Sequence, residues 1–335
     1  MRWNAFRAAV TALALTALTP AALTSAAQAA EEDKLVLYTS QPSGQMEDVL
    51  ALFKEKHPEI EVEMFRSGTT EVLNKLQAEV AAGAPQADVL LIADSVAMTA
   101  LKNQGLLQPY KGADVSLLPE GQYDAEKYFF GTKLITTGII YNTAAGVPKP
   151  ESWMDLLAPE AKDQVIMPSP LYSGAAVIHV GTMVNDPQFG WDYFEKLAAN
   201  GAVAGKGNGS VRDAVARGEK AYGVIIEYMA FDQKAKGSPV DFVFPKEGVT
   251  AINQPVAILK TAKNVKAAQA FIDFQLSKDA AEQSVKQAYF PIMKGVTPPA
   301  GYPSMDDLKI IEADSRTLLD STDDTKKRFA EIYGG

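Results

Sequence analysis

The sequence feature that most constrains the fold is a threefold alternation of strand and helix patterns between residues 35 and 103. Each apolar strand pattern is followed by a polar loop and then by an amphipathic helix pattern. The predicted strands are 35–38, 60–65 and 87–92, and the predicted helices are 45–56, 71–80 and a third that ends near residue 103. Such alternation indicates a parallel sheet with helices on its faces, which places the chain in the α/β class.

Polar residues follow each of these strands, at the positions where parallel sheets bind ligands. Thr39 and Ser40 follow the first strand, residues 67–70 follow the second, and Asp94 and Ser95 follow the third. Because the carboxyl ends of parallel strands meet at one edge of a sheet, we expect these three loops to converge.

The second of these loops, within Arg66-Ser67-Gly68-Thr69-Thr70-Glu71, carries a glycine between hydroxyl residues at the start of a helix. Backbone N–H groups, hydroxyl donors and the positive end of the helix dipole would meet at one point, which suits an anion. The alternative is an ordinary N-cap, in which Ser67 or Thr70 satisfies the first turn. Arg66 either adds positive charge to the site or points to solvent. The same construction recurs at residues 173–175, which favours the anion-binding interpretation.

Residues 1–29 are predicted to be a secretory signal peptide. Arg2 and Arg7 give a positive start, residues 8–24 are apolar, and Ala27-Gln28-Ala29 fits a small-residue cleavage site. We expect cleavage after Ala29 and a periplasmic protein, and a retained membrane anchor is the less favoured alternative. No cysteine follows the apolar run, so no lipid anchor is expected, and no later segment is long and apolar enough for direct membrane insertion.

Charge and cysteine content narrow the possible partners. The formal net charge of the chain is −9, and it becomes −11 without the two arginines of the predicted signal peptide. No basic stripe is present to displace counterions from nucleic acid, so we expect no nucleic-acid partner. The chain has no cysteine, so its stability in an oxidising compartment rests on core burial rather than on disulfides.

The remaining length predicts two lobes rather than one core. Strands over 134–141 and 254–259 are interpreted as two crossings between the lobes, which make a hinge whose cleft can close on a ligand. Lobe 1 is predicted to comprise 30–137 plus about 254–335, with part of the tail packed on lobe 2, and lobe 2 to comprise 138–253. Further predicted elements are strands 165–167 and 221–226, helices 175–183, 211–217 and 265–276, and two helical patterns in the tail after residue 302.

Motifs for catalysis and metal binding are scarce. The only histidines are His57, at a helix end, and His179, in an apolar helix pattern that predicts a core position. Without cysteine, a nucleophile elbow or a histidine pair at metal spacing, nucleophilic and zinc chemistry lack their residues. Asp94 and Glu227 leave carboxylate catalysis open, although nothing marks them as an acid–base pair. We therefore expect no enzyme, no cofactor and no metal site.

The glycine run at residues 205–209 lacks the full spacing of a dinucleotide-binding loop, because position 210 is serine. A lone glycine match is weak evidence in any case. We interpret the run as a flexible approach to a helix N-terminus, with Asn208 and Ser210 placed to line the cleft.

The order of these parts resembles the extracellular solute-binding proteins of bacterial ABC importers. The motifs that carry the resemblance are Leu-Val-Leu-Tyr-Thr-Ser from residue 35, Ala-Asp-Val-Leu-Leu-Ile-Ala-Asp from residue 87, Gly-Ile-Ile-Tyr-Asn-Thr from residue 138 with a following Pro-x-x-Trp-x-x-Leu, and Ala-Ala-Gln-Ala-Phe-Ile-Asp-Phe from residue 267. The resemblance covers essentially the whole chain after residue 29 and is nearest to the branch that holds ferric-ion binders and binders of phosphonates or sugar phosphates. It implies a two-lobed, type II-like periplasmic-binding-protein fold and a permease partner in the inner membrane. A monomer is the default expectation.

Ferric binders of that branch use a histidine in the first loop and two adjacent tyrosines in the second lobe, where phenolate oxygens suit Fe(III). Here the first loop reads Gln41-Pro42, and the second-lobe position reads Glu227-Tyr228-Met229, with one tyrosine. Two of the three ligand features are missing, so a ferric-ion receptor is the alternative rather than the leading interpretation.

The resemblance leads us to expect a receptor for a small phosphonate or phosphate ester, with 2-aminoethylphosphonate as the member that it implies. The predicted anion-binding residues are Thr39, Ser40, Ser67, Gly68, Thr69, Thr70, Ser173, Gly174 and Ala175. The predicted contacts to an amine on the same ligand are Tyr38, Asp94, Glu227 and Tyr228. For each acid, a helix cap or a structural hydrogen bond is the alternative. An exported enzyme acting on a phosphorylated small molecule is the weaker alternative of a different class.

Overall fold

The computed structural model describes residues 34–305 and 307–334. The predicted signal peptide and its cleavage site lie outside these residues. Within the described part of the chain, ten strands form one continuous mixed sheet. No helix there combines the length and the apolar character needed to cross a membrane.

The strands are β1 (Lys34–Thr39), β2 (Glu61–Arg66), β3 (Val89–Leu91), β4 (Leu107–Gln108), β5 (Phe129–Asn142), β6 (Val165–Pro168), β7 (Val203–Gly205), β8 (Tyr222–Ile226), β9 (Val240–Val243) and β10 (Thr250–Leu259). The α-helices are α1 (Ser43–Lys56), α2 (Thr69–Ala81), α3 (Ser95–Asn103), α4 (Gly174–Asn185), α5 (Gly190–Ala199), α6 (Asn208–Ala216), α7 (Glu227–Ala235), α8 (Val265–Gln275), α9 (Lys278–Lys286) and α10 (Ser315–Tyr333). Two short 3₁₀ helices cover Trp153–Leu157 and Pro159–Ala161.

The first three strands form the parallel unit that their alternation with helices predicts. The strands hydrogen-bond in the order β2-β1-β3-β10-β5-β8-β6-β7, while β4 pairs with β10 and β9 with β5. β1 runs parallel to β2 on one side and to β3 on the other. Leu35 and Leu37 of β1 and Leu90 of β3 are fully buried, as expected where helices cover both faces of a sheet.

β5 and β10 form a long antiparallel pair that carries the sheet from one lobe into the other. Thr250 lies opposite Thr137 at one end of the pair, and Ala257 lies opposite Phe129 at the other. β10 also pairs with β3, and β5 also pairs with β8, so these two strands join the sheets of both lobes. They correspond to the two predicted crossings, although both are longer than predicted. The proposed lobe boundaries at 138 and 253 stay predictions.

The structure corrects the predicted start of the helix after β2. α2 begins at Thr69, and neither Ser67 nor Thr70 caps it, because the N-cap position is Gly68 and receives no side-chain hydrogen bond. The Ser67 hydroxyl instead donates to the Glu71 carboxylate. The backbone N–H groups of the first turn are therefore not satisfied by a capping side chain.

The tail also differs from the prediction, because its described residues after 302 form one helix, α10, rather than two. α10 packs against α3, α4 and α5, so the tail contacts elements of both lobes. Helices α5, α7 and α9 are additional to the predicted elements. α7 begins at Glu227 directly after β8 ends at Ile226, so no turn residues mark its start.

The prediction that His179 is a core residue is confirmed. Its side chain on α4 is 1% exposed and packs against Trp153, with ring centroids 5.0 Å apart. Its Nδ1 lies 3.0 Å from the Thr250 hydroxyl oxygen on β10. Burial lowers the pKa of His179 to about 3, so the imidazole is neutral in the folded protein at neutral pH.

We predict that His179 makes the protein less stable in acid. Its pKa is lower in the folded chain than the ordinary value of 6.5, so its contribution to stability is complete above about pH 6.5 and is lost as the pH falls toward 3. In urea unfolding between pH 7 and pH 4, the free energy of unfolding of the wild type should fall as the pH is lowered. In His179→Gln this fall should be smaller by up to about 1.4 kcal/mol per pH unit. His57→Gln, at the partly exposed end of α1, is the matched control and should keep the wild-type dependence. Equal slopes for wild type and His179→Gln would contradict the prediction.

Candidate functional site

A cavity of about 390 Å³ lies between the carboxyl ends of β1 and β2 and the second lobe. Its first-lobe wall consists of the loop 40–43, Arg66, the start of α2 and Ala93. Its second-lobe wall consists of the loop before α4 and the starts of α4, α6 and α7. Ile135 of β5 and Gln254 of β10 complete the lining on the two strands that join the lobes. The volume is that of a site for a small ligand.

Five of the described helices begin at this cavity. The first or second residue of each helix lines it: Ser43 of α1, Thr69 of α2, Gly174 of α4, Asn208 of α6 and Tyr228 of α7. A helix N-terminus presents unpaired N–H groups and a partial positive charge of about +0.5. The cavity wall is therefore electrostatically positive even before any charged side chain is considered.

Few of these N–H groups are satisfied by an N-cap side chain, although the Thr70 N–H of α2 donates to Tyr172 O and the buried Glu227 carboxyl accepts from N–H groups in the first turn of α7. The N-cap positions of α1, α2 and α7 are Pro42, Gly68 and Ile226, and none of them accepts a hydrogen bond through its side chain. Only α4 has such a cap, in which the Ser173 hydroxyl accepts a hydrogen bond from the Ala176 N–H at 3.3 Å. An anion in the cavity can supply the missing acceptors.

Three cationic side chains line the cavity: Arg66, Lys206 and Arg212. Among the described residues of the lining, none is an aspartate or a glutamate. Arg66 donates to two backbone carbonyls, from Nε to Gln41 O at 3.1 Å and from a terminal nitrogen to Ser40 O at 3.3 Å. Its guanidinium is thus fixed in place by neutral groups, and its charge stays available to a ligand.

The other two cations each have one acidic neighbour. Lys206 Nζ lies 3.2 Å from a Glu71 carboxylate oxygen and 4.6 Å from the centre of the Tyr172 ring. Arg212 pairs with Asp213, its neighbour on α6, at 2.7 Å. Both arginines and Lys206 keep part of their hydrogen-bonding capacity free, since a guanidinium has five N–H donors and an ammonium three.

The two walls touch each other across the cleft. The Thr70 N–H donates to Tyr172 O at 3.3 Å, and the Thr70 hydroxyl donates to Pro170 O at 3.4 Å. A Cβ added at Gly68 would lie 2.6 Å from the Tyr172 carbonyl oxygen and equally close to its ring, and one added at Gly174 would lie 2.5 Å from Ala93 O. Only glycine permits this approach, so both positions need glycine for the two walls to come this close.

Six of the nine residues predicted to bind an anion line the cavity: Ser40, Gly68, Thr69, Ser173, Gly174 and Ala175. The other three, Thr39, Ser67 and Thr70, do not. The Thr39 hydroxyl is fully buried and donates to Leu91 O at 2.9 Å. The Ser67 and Thr70 hydroxyls make the contacts to Glu71 and Pro170 described above, so their donors are directed away from the cavity.

Of the four residues predicted to contact an amine, only Tyr228 lines the cavity. The Tyr38 hydroxyl donates to Glu79 at 2.6 Å. Asp94 caps α3 by accepting from the Ala97 N–H at 2.8 Å, which is the alternative that the sequence left open. The structure therefore does not bring Tyr38 or Asp94 to a ligand in this cavity.

Glu227 is likewise absent from the cavity wall. Its side chain is fully buried, and one carboxyl oxygen accepts a hydrogen bond from the Thr136 N–H at 2.6 Å. Burial raises the pKa of Glu227 to about 8, so this carboxyl is mostly protonated at neutral pH. A neutral buried carboxyl offers no negative charge to an ammonium group.

Several lining residues lie outside the predicted site, notably Gln41, Tyr172, Lys206, Arg212 and Gln254. The cavity is also lined by Arg66, Asn208 and Ser210. The sequence left Arg66 open between the anion site and solvent, and it only suggested Asn208 and Ser210. Arg212 could have been found from helical spacing, because it lies four residues after Asn208 on α6 and so shares its face. Tyr172 carries no such signal, since it lies in an irregular loop.

The described residues contain no group of three or more His, Cys, Asp or Glu side chains that could hold a metal ion. Tyr228 is the one feature of the ferric-ion motif at the cavity wall, and Gln41 occupies the place of its histidine. A hard trivalent cation prefers anionic oxygen ligands, and the described lining offers the phenols of Tyr172 and Tyr228 but no carboxylate and no histidine.

Comparison with known proteins relates this cavity to a family. A "Probable ABC transporter periplasmic-binding protein y4fP" of Sinorhizobium fredii is 26% identical over 80% of this chain and 77% of its own length. An "Fe(3+)-binding periplasmic protein" of Serratia marcescens is 27% identical over 91% of both chains. The periplasmic binding protein AfuA from Actinobacillus pleuropneumoniae, solved with fructose-6-phosphate bound, superposes with a TM-score of 0.81 at 24% identity, over 89% of this chain and 98% of that one.

These similarities establish the two-lobed periplasmic-binding-protein fold with its ligand cleft between the lobes. The sequence pattern of the bacterial extracellular solute-binding proteins matches residues 38–282, well over half of the chain. The function is therefore transport rather than catalysis, with a small ligand and a permease as partners, at a periplasmic or extracellular location. The chain belongs to the bacterial extracellular solute-binding protein family and is a substrate-binding component of an ABC importer.

Proposed function

We propose that this binding protein captures a small phosphate ester or phosphonate, closes its lobes around the anion and delivers it to the permease. The observation that carries the proposal is the composition of the cavity wall. Five helix N-termini and three cationic side chains surround the cavity, and no described acidic residue lines it. A phosphoryl group offers several strong acceptor oxygens and up to two negative charges, which matches this surplus of donors.

The wall favours a phosphate ester over a zwitterion. The ammonium group of 2-aminoethylphosphonate, the ligand implied by the resemblance, needs an acceptor and preferably a negative charge. The cavity offers it only uncharged acceptors such as Gln254 and the Tyr228 hydroxyl, whereas Asp94 and Glu227 lie off the wall. We therefore expect 2-aminoethylphosphonate to bind more weakly than a phosphate ester with an uncharged, hydroxylated remainder.

We propose export through a cleaved signal peptide as the route to the periplasm. Its support is the sequence pattern of residues 1–29, with a positive start, an apolar run and a small-residue cleavage site. N-terminal sequencing of the protein recovered from the periplasm should begin at residue 30. A start at residue 1 would contradict this proposal without affecting the ligand assignment.

The first test of the ligand is a thermal-shift screen of the purified protein. We expect fructose-6-phosphate at one hundred times its dissociation constant to stabilise the fold by about 2.7 kcal/mol, seen as a melting temperature raised by several degrees. Fructose, spermidine and ferric citrate should give no shift, because none presents a phosphoryl anion to the positive wall. A shift with ferric citrate or spermidine but with no phosphate ester or phosphonate would overturn the proposal.

Substitutions of the cavity arginines give a sharper form of the same test. Arg66→Gln and Arg212→Gln should each raise the dissociation constant for fructose-6-phosphate roughly 10- to 100-fold, because each removes a charge-assisted hydrogen bond worth about 1.5–3 kcal/mol. Arg217→Gln is the matched control, since Arg217 follows the end of α6 and pairs with Glu219 outside the cavity. Isothermal titration calorimetry measures all three, and equal affinities would show that the arginines do not hold the anion.

Lobe closure can be tested through Gly68. Gly68→Ala places a methyl group 2.6 Å from Tyr172, so it should disfavour the closed arrangement and weaken binding of fructose-6-phosphate by at least about 10-fold. Gly209→Ala is the matched control, because Gly209 also lines the cavity but has no atom within 4 Å of an added Cβ. Small-angle scattering should show that ligand compacts the control and wild type more than Gly68→Ala. Wild-type affinity in Gly68→Ala would exclude this contact from closure.

A further inference from the structure

A buried lysine lies beside the cavity without contributing to its wall. Lys133 is part of β5, one of the two strands that join the lobes, and its side chain is 1% exposed. Lysine is rarely buried to this extent unless a carboxylate pairs with it. Within the described residues, Lys133 takes part in no salt bridge, so its amine is buried without a carboxylate partner.

The contacts of Lys133 lead directly to the cavity. Its Nζ donates to Gln41 Oε1 at 2.9 Å and lies 4.8 Å from the centre of the Tyr289 ring. Gln41 lines the cavity, and its own amide is fixed by a hydrogen bond from Nε2 to Gln287 Oε1 at 3.2 Å. One side chain, held at both ends, thus separates the Lys133 amine from the space that a ligand occupies.

Among the residues that the structure describes, those around Lys133 provide no fixed negative charge. On α1, Asp48 approaches Gln287 at 3.4 Å rather than Lys133. On α7, Glu227 is buried and mostly protonated at neutral pH. Tyr289 and Tyr228 pack with ring centroids 4.0 Å apart and ring planes tilted by 34°, and burial raises the pKa of both phenols. The arginines nearest to the cavity, Arg66 and Arg212, are positive.

In this setting the ammonium form of Lys133 is strongly disfavoured. Burial lowers the pKa of Lys133 to about 7, and no charged neighbour contributes to the change. Close to neutral pH the empty protein is therefore a mixture of charged and neutral Lys133. A negative charge placed in the adjacent cavity would favour the charged form, since Coulomb interactions are weakly screened at a dry site.

We propose that Lys133 couples anion binding to proton uptake, so that the lysine gains a proton when the anion enters the cavity and releases it when the anion leaves. The inference rests on the proposed function, because the coupling requires an anionic ligand. Thermodynamic linkage fixes the direction of the pH dependence. A ligand that raises the proton affinity of Lys133 binds more weakly as the pH rises. Affinity should therefore fall as the pH increases from 7 to 9.

The test is calorimetric titration of the purified protein, after removal of the signal peptide, with fructose-6-phosphate at pH 8. The titration is done in two buffers of different ionisation enthalpy, because the difference in the measured binding enthalpy gives the number of protons taken up. At this pH the phosphoryl group is fully ionised, since its second pKa is about 6, so it takes up no proton itself. We expect the wild type to take up between about 0.5 and 1 proton for each ligand bound. Its dissociation constant should rise several-fold between pH 7.5 and pH 8.5.

Lys133→Met should remove this proton uptake and flatten the pH dependence. Lys196→Met should retain both, because the Lys196 side chain is exposed on the outer face of α5 and pairs with Asp192. If Lys133→Met does not fold, ¹³C resonances of the lysine side chains in the wild type give the same answer. One neutral lysine at pH 8 should become charged when fructose-6-phosphate is added. Binding without proton uptake, or equal uptake in wild type and Lys133→Met, would overturn the coupling alone. Failure of every phosphate ester and phosphonate to bind would overturn the proposed function as well.

Discussion

The antiparallel pairing of β5 with β10 is the interaction on which the rest of the structure depends. These strands join the sheet of β1, β2 and β3 to the sheet of β6, β7 and β8, so they fix where the ends of the other strands lie. The register shift between Asn253 and Pro255 places Gln254 at the cavity. Ile135 and the buried Lys133 occupy the neighbouring part of β5. The same strand pair therefore forms the connection between the lobes, one part of the ligand site and the proposed proton-linked lysine.

Around this pair, the fold directs positive potential toward one point. Five helix N-termini and three cations meet at the cavity, and this concentration of like charge is unfavourable until an anion compensates it. The contacts between Thr70 and Tyr172, and between Glu71 and Lys206, hold the walls together at the rim. Under the proposed function, an anion held by groups of both walls adds to these contacts. Binding and closure then reinforce each other.

The sequence predicted the parts of the site that follow from local pattern. Strand and helix alternation predicted the parallel unit, and the residues at its strand ends included Ser40, Gly68 and Thr69, which do line the cavity. The sequence could not predict how each polar side chain is used. From the sequence, Asp94 and Thr70 are candidates for ligand contacts. In the structure, Asp94 accepts a hydrogen bond from the first turn of α3, and Thr70 donates to the opposite wall of the cavity. Lys206 reaches the site only through the packing of the second lobe against the first, which no local pattern encodes, whereas the helical spacing from Asn208 does indicate Arg212.

The central claim is that the positive cavity holds the phosphoryl group of the ligand. The most direct measurement is a crystal structure of the purified protein with fructose-6-phosphate. The account predicts that phosphoryl oxygens lie within hydrogen-bonding distance of Arg66 and of N–H groups in the first turns of α2 and α4, with the sugar directed toward Gln254. A phosphoryl group outside the cavity, or one directed away from Arg66 and the helix N-termini, would contradict it.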